Sequence, residues 1–209
     1  MSLFEVKPYD REVYEKELKD FLPQKILDVH THVYLKEFFP PKPLAPGEVK
    51  RTVTWPSLVA ADDSIEDLQE TYRLMLPGKD VTALMFSNSG RSQQANDYVA
   101  DASRRSGFPA LYFSAPEESP EEVERQIRKG GFLGIKGYLS LSPKYIPEAE
   151  IRIFDFFPKA QLKKMDEMGA IVMLHIPRNG RLKDPVNLAQ IMEIKQEFPN
   201  IRLIIAHIG

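Results

Sequence analysis

Along the chain, segments in which apolar and polar residues have strand-like spacing alternate with segments in which they have helical spacing. Short runs with period-two alternation or continuous β-branched and aliphatic residues predict strands, and the segments between them have helical spacing. The predicted strands are 25–34, 81–88, 110–116, 132–139, 170–177 and 201–209. The predicted helices after the second, third, fourth and fifth of these are 93–105, 119–131, 158–169 and 187–198. Strands that alternate with helices in this way predict βαβ units and an α/β fold with a parallel sheet.

Capping residues set the expected beginnings of three helices. Asp10 is the expected N-cap of a short amphipathic helix over 10–21, and Ser64 that of a helix over 64–76. Ser119 is followed by Pro120, a residue that favours the first turn of a helix. Each of these helices is therefore expected to begin at a defined residue.

The number of βα units predicts a particular architecture. A (β/α)₈ TIM barrel typically needs about 250 residues, and this chain has 209. We expect residues 25–209 to form strands 1–6 of such a barrel, preceded by an N-terminal helical segment over 1–24. The sequence stops directly after the sixth predicted strand, which predicts a C-terminally truncated barrel with about six β/α units.

Composition narrows the function classes. The formal net charge of −2 offers no electrostatic basis for binding nucleic acid or an anionic membrane. The N-terminus lacks the pattern of a secretory signal, and no apolar run reaches the roughly 18 residues of a membrane span. The expected location is therefore the cytoplasm. There is no cysteine, so a metal would be held by His, Asp, Glu or a modified Lys.

The four histidines all lie at or near the carboxyl end of a predicted strand, where parallel α/β folds assemble their sites. Period-two alternation then predicts one face that carries the ionisable groups and another that is aliphatic. On strand one, Leu27, Val29 and Val33 are expected to pack on the outer helices. The expected inner faces are Asp28, His30 and His32 on strand one, Gly134, Lys136 and Tyr138 on strand four, Met173 and His175 on strand five, and Leu203, Ile205 and His207 on strand six.

Convergence of four imidazoles predicts a metal site. Neutral imidazole suits zinc and other late divalent metals, and a His-x-His pair on a strand aims two ligands at one ion. The expected cofactor is a divalent metal, with zinc first and manganese, iron or nickel as alternatives. The competing interpretation is that the histidines are hydrogen-bonded core residues, which is the commoner role of any single buried histidine.

Four segments in this order resemble the amidohydrolase superfamily. They are DVHTHV (28–33), GIKGYL (134–139), VMLHIPR (172–178) and LIIAHIG (203–209). Within the superfamily they are most similar to the amidohydrolase-related branch of metal-dependent hydrolases and decarboxylases. The resemblance covers nearly everything from Lys25 to Gly209.

The resemblance implies roles for individual residues. His30, His32 and His175 would bind metal, and His207 would bind a second metal or orient the reacting water or substrate. Lys136 occupies the strand-four position that is carbamylated in some members, and otherwise it would contact substrate or pair with a carboxylate. An essential aspartate at the end of strand eight in the family lies beyond this sequence.

The implied activity is that of a metal-dependent hydrolase, in which a metal-activated water attacks an amide, lactone or related acyl carbon of a small molecule. A non-oxidative decarboxylase of the same branch is one alternative, and a truncated, non-catalytic barrel is another. A phosphate-binding barrel ranks low because no glycine-rich phosphate loop is found. A homodimer is one candidate assembly. The substrate, with a carboxylate as one candidate group, is expected to contact Arg178, Arg91, Asn88 and Trp55, with Arg181 and Tyr34 as secondary candidates. Asp28 is a candidate for orienting a ligand histidine, and its alternative is a buried group satisfied elsewhere.

Overall fold

A computed structural model describes residues 5–39, 62–88 and 92–206 of the protein. Within them, the strands are β1 (Lys25–His32), β2 (Asp80–Phe86), β3 (Tyr112–Phe113), β4 (Gly134–Lys136), β5 (Ile171–His175) and β6 (Arg202–Ala206). The helices are α1 (Pro8–Val13), α2 (Ile65–Met75), α3 (Gln93–Ser106), α4 (Pro120–Gly130), α5 (Lys159–Met168) and α6 (Pro185–Glu197).

The strands form a parallel sheet in sequence order. β1 pairs with β2, and β3 to β6 pair with their neighbours, every pair being parallel. A single parallel bridge between Met85 and Ala110 joins the two groups. Because each parallel pair needs a crossover, the intervening helices cover one face of the sheet. The predicted α/β fold with about six β/α units is confirmed.

The N-terminal segment is helical but begins differently from the prediction. α1 starts at Pro8 with Lys7 as N-cap, and a π-helical turn, Tyr14–Leu18, continues it. Asp10 is the third residue of the helix and not its N-cap. Its carboxylate accepts the backbone N–H of the N-cap residue Lys7 at a distance of 2.8 Å. The Tyr14 hydroxyl donates to the Pro77 carbonyl at 2.6 Å and joins this segment to the loop between α2 and β2.

Helix caps are mostly those that the sequence predicts. The hydroxyls of Ser64 and Ser119 accept backbone N–H groups at the starts of α2 and α4, and Pro120 occupies the first turn of α4. Two caps were not predicted. The hydroxyl of Ser92 accepts the Ala95 N–H at the start of α3. The carboxylate of Asp184 accepts the N–H groups of Val186 and Asn187 and begins α6 two residues before the predicted start.

Two apolar clusters separate the faces of the sheet. The inner cluster, on the side away from the helices, consists of Leu84, Phe86, Leu111, Met173 and Ala206. The outer cluster packs between sheet and helices and includes Ala83, Met85, Val172 and Leu174. The predicted faces of strand five are therefore confirmed.

The predicted faces of strand six are wrong over its described residues. Ile204 and Ala206 lie on the inner face, since they pair with Met173 and His175. Leu203 packs against the outer cluster instead. The predicted segment is apolar at nearly every position, so alternation alone could not choose between the two faces.

Strand one also departs from simple alternation. Its register against β2 shifts between Asp28 and Thr31, so Val29 and His30 stand opposite the single residue Leu84. This β-bulge puts Asp28 on the outer face, while His30 and His32 contact Phe86 of the inner cluster. Leu27 and Val29 do not pack on helices as predicted, because they are 59% and 43% exposed. Val33 is fully buried in the outer cluster as predicted.

Candidate functional site

Two histidines of β1 lie side by side at its carboxyl end. The ring centroids of His30 and His32 are 5.5 Å apart, and both rings meet the Phe86 ring edge-on at centroid distances of 5.1 and 4.6 Å. The Nδ1 atom of His32 lies 2.8 Å from the Ser87 carbonyl oxygen. Because a carbonyl only accepts, Nδ1 carries the proton and Nε2 carries the lone pair that a metal needs.

Lys136 is the buried cation of the inner face. It is 1% exposed, and among the residues that the structure describes its Nζ has no hydrogen-bond partner. The Nζ atom lies 5.4 Å from the centroid of the Phe86 ring. Burial lowers the pKa of Lys136 to about 7, so a large fraction of the amine is neutral and nucleophilic at neutral pH.

His175 ends β5 and is buried on the inner face. Its ring contacts that of Tyr138 at a centroid distance of 4.3 Å, with 50° between the planes. Tyr138 follows β4, and burial raises the pKa of its hydroxyl. Alternation along strand four predicted only that Tyr138 lies on the inner face, and it did not indicate this ring contact between the ends of β4 and β5.

The donor set suits a divalent metal in chemistry, although the described residues do not complete a site. His30, His32 and His175 are imidazoles at the carboxyl ends of strands, and His32 has the tautomer of a ligand. Within 5–39, 62–88 and 92–206, no three His, Asp or Glu side chains converge on one point. Phe86 contacts both β1 histidines and Lys136, so its ring is the shared neighbour of these three groups. Sequence reasoning missed Phe86, although the alternation of β2 places it on the same face as Leu84.

The candidate substrate residues fare unevenly. Asn88 is half-buried just after β2, as expected of a loop at the carboxyl edge. Arg178 has a left-handed backbone (φ 60°) and donates through Nε to Asp184 at 2.9 Å, so it is engaged at the start of α6. It also borders a cavity of about 340 Å³ that it shares with Arg152, Glu150 and Asp155. His207, Arg91 and Trp55 lie outside the described residues.

The secondary candidates are held by the protein itself. Arg181 donates to the Ile176 carbonyl at 2.7 Å and stabilises the loop after β5. Tyr34 forms an isolated antiparallel bridge with Asp63 through the backbone of both residues. Asp28 accepts the backbone N–H of His30 and the hydroxyl of Tyr72.

A comparison with known families matches residues 27–209 to the profile described as amidohydrolase. The chain belongs to the amidohydrolase family. The predicted resemblance is therefore confirmed over most of the sequence. No curated protein matches the chain.

The chain is similar in fold to a solved TIM-barrel structure. An uncharacterised TIM-barrel protein from Bordetella bronchiseptica is 14% identical with a TM-score of 0.50, and the match covers 86% of this chain and 65% of that one. A dihydroorotase from Campylobacter jejuni is 18% identical with a TM-score of 0.38, covering 61% of this chain and 39% of that one. The first likeness supports the TIM-barrel fold. The chain spans less than two thirds of either structure.

In the parts of the chain that the structure describes, no helix combines the length and the apolar character needed to cross a bilayer.

Proposed function

We propose that the protein is a metal-dependent hydrolase that cleaves an amide, lactone or related acyl bond of a small molecule. The observation that carries the proposal is the His30–His32 pair, whose rings lie 5.5 Å apart at the carboxyl end of β1 with Nδ1 of His32 bonded to the Ser87 carbonyl. This bond is the kind of second contact that fixes the orientation of a metal-binding imidazole. Membership of the amidohydrolase family supports the same conclusion.

In this proposal His30, His32 and His175 hold the ion, and His207 either shares in holding it or orients water and substrate. A divalent metal, zinc in the first place, supplies Lewis acidity that polarises the acyl group and activates water when it is bound. His207 stabilises the developing negative charge or moves the proton, since the unperturbed pKa of histidine lies near neutrality.

Lys136 contributes a buried amine on the inner face that is partly neutral near pH 7. Its lowered pKa permits it to accept a proton or contact the substrate near pH 7 without a permanent charge. Asn88, Arg91, Arg178 and Trp55 are the proposed substrate contacts. Arg178 offers two guanidinium nitrogens beyond the Nε atom that Asp184 occupies.

The test is a metal-dependent turnover assay. Metal-free protein reconstituted with zinc is offered a panel of small amides and lactones and, in parallel, aromatic and dienoic carboxylic acids. Zinc-dependent acyl cleavage that His207→Ala abolishes, with bound zinc largely kept, is the expected result. Release of carbon dioxide from the acids without acyl cleavage would instead assign the chain to the decarboxylases of the family.

A further inference from the structure

The β-bulge of β1 decides which way His30 points. Asp28 pairs with Ala83 and Thr31 pairs with Met85, both on the outer face. Thr31 is three positions after Asp28, whereas Met85 is only two positions after Ala83. The extra residue lies between them, at Val29 and His30. Without it, a strand in which Asp28 faces outwards would also turn His30 outwards, away from Phe86.

The side chain of Asp28 holds this irregular segment. Its Oδ1 atom accepts the backbone N–H of His30, two residues ahead, at 3.0 Å. An aspartate that accepts from the residue two positions later forms an Asx turn, which offers the backbone a local alternative to regular strand pairing. Bulge residues depart from the regular ladder, so an acceptor of this kind stabilises the bulge.

Tyr72 of α2 in turn holds Asp28 from the outer side of the sheet. Its hydroxyl donates to Oδ2 of Asp28 at 2.8 Å. The hydroxyl of Thr31 lies 3.3 Å from the same phenolic oxygen, and it is the donor there because the Tyr72 proton is given to Asp28. Burial raises the pKa of Tyr72, so the hydroxyl keeps its proton and stays a donor throughout the physiological range.

We propose that Tyr72 is a positioning residue for His30: acting through Asp28, it fixes the β1 bulge that presents the His30 imidazole to the inner face. The proposal rests on the proposed function in so far as His30 is a metal ligand. Tyr72 itself packs against the outer cluster, whereas Phe86, the neighbour of His30, belongs to the inner cluster.

Tyr72→Phe tests the proposal, because it removes one hydroxyl and keeps the ring that packs against the outer cluster. The matched control is Tyr98→Phe on α3. The half-buried Tyr98 hydroxyl accepts the backbone N–H of Ile65 at 3.1 Å, and neither residue belongs to β1. The first readout is the hydrogen-exchange rate of the His30 amide, measured by NMR on metal-free protein. The second is the zinc dissociation constant, measured in competition with a chromophoric chelator.

Tyr72→Phe is expected to speed exchange of the His30 amide at least about tenfold and to weaken zinc binding about 10–100-fold, as second contacts of metal ligands do. Tyr98→Phe is expected to leave both values within about twofold, even if its loss of stability is similar. Equal effects of the two variants, or none from Tyr72→Phe, would overturn the proposal.

The exchange readout separates this proposal from the proposed function. If the wild-type protein binds no zinc, the proposed function fails, and the His30 exchange rate alone decides whether Tyr72 positions the bulge. Thr31→Val is a milder second variant, should Tyr72→Phe not fold. It removes only the outer hydroxyl and is expected to change both readouts in the same direction by a few-fold, whereas unchanged values would count against the proposal.

Discussion

The substitution Lys136→Met tests the electrostatics of the inner face. Burial lowers the pKa of Lys136 from 10.5 to about 7. At about 1.4 kcal/mol per pKa unit, the buried ammonium form is disfavoured by roughly 5 kcal/mol, of which about 4 kcal/mol weakens the fold at pH 7. Methionine has a similar length and can pack against Phe86 without this cost.

The sign of the pH dependence follows from proton binding. Between pH 7 and 10.5 the unfolded chain keeps a proton that folded Lys136 has lost, so wild-type stability rises with pH across this window. The cost of the buried charge is fully present below the folded pKa. Lys136→Met is therefore expected to raise the free energy of unfolding at pH 7 by about 2–4 kcal/mol, and this gain should shrink by about 2 kcal/mol at pH 9.

The assay is urea unfolding of the metal-free protein followed by circular dichroism at pH 7 and pH 9. Lys163→Met, at an exposed position of α5, is the matched control and should leave the difference between the two pH values unchanged. A Lys136→Met variant that is less stable than wild type at pH 7, or whose gain is the same at both pH values, would refute the reasoning.

Three further predictions concern stability, and urea unfolding measures each of them. Burial raises the pKa of Asp63 to about 6, with the charge of Asp67 adding to the effect, so the free energy of unfolding falls as pH rises from about 4 to 6. Asp63→Asn should remove this fall and add about 1–2 kcal/mol to the free energy of unfolding at pH 7. A variant with the same pH profile as the wild type would contradict this prediction. Ser119→Ala removes the hydroxyl that caps α4 and should cost about 1 kcal/mol, whereas Ser119→Asp should cost little. Gly134→Ala would place a Cβ 1.9 Å from the Ile171 carbonyl oxygen, so a loss above about 3 kcal/mol is expected; a neutral effect would mean that β4 and β5 do not approach so closely.

The sequence predicted the elements better than the faces of the strands. Helix starts at Ser64 and Ser119 were predictable because a hydroxyl cap is a local signal that packing rarely overrides. The first helix was misplaced because Pro8 fits its first turn and turns Asp10 into the third helical residue.

Faces could be predicted only where the strand is regular and its two sides differ. In β5 the polar end, His175, marks the inner face, and the structure agrees. In β1 the bulge places Asp28 and His30 on opposite faces, where regular alternation would place them on the same face. No pattern in the sequence indicates that β1 has one more residue than β2 at this point. In β6 both faces are aliphatic, so only pairing with β5 decides which side is inner.

The candidate site was predictable as residue types at strand ends but not as a set of contacts. His30, His32 and His175 follow from the sequence, and the structure adds Phe86, Tyr138 and Tyr72 as the side chains that touch or hold them. These three are aromatic residues of the kind found in any hydrophobic core. Their role depends on which strand lies beside which, and this is information that one sequence does not contain.

The measurement that tests the central claim most directly is the metal content per polypeptide. Elemental mass spectrometry is applied to wild type, His30→Ala and His175→Ala, each purified without added metal or chelator. We predict about one or two equivalents of zinc or a similar divalent ion in the wild type and a large loss in both variants; two equivalents would favour Lys136 as a modified, bridging ligand. A folded wild-type protein without metal that does not respond to added zinc, or equal metal in wild type and His30→Ala, would contradict the account and leave the histidines as core residues.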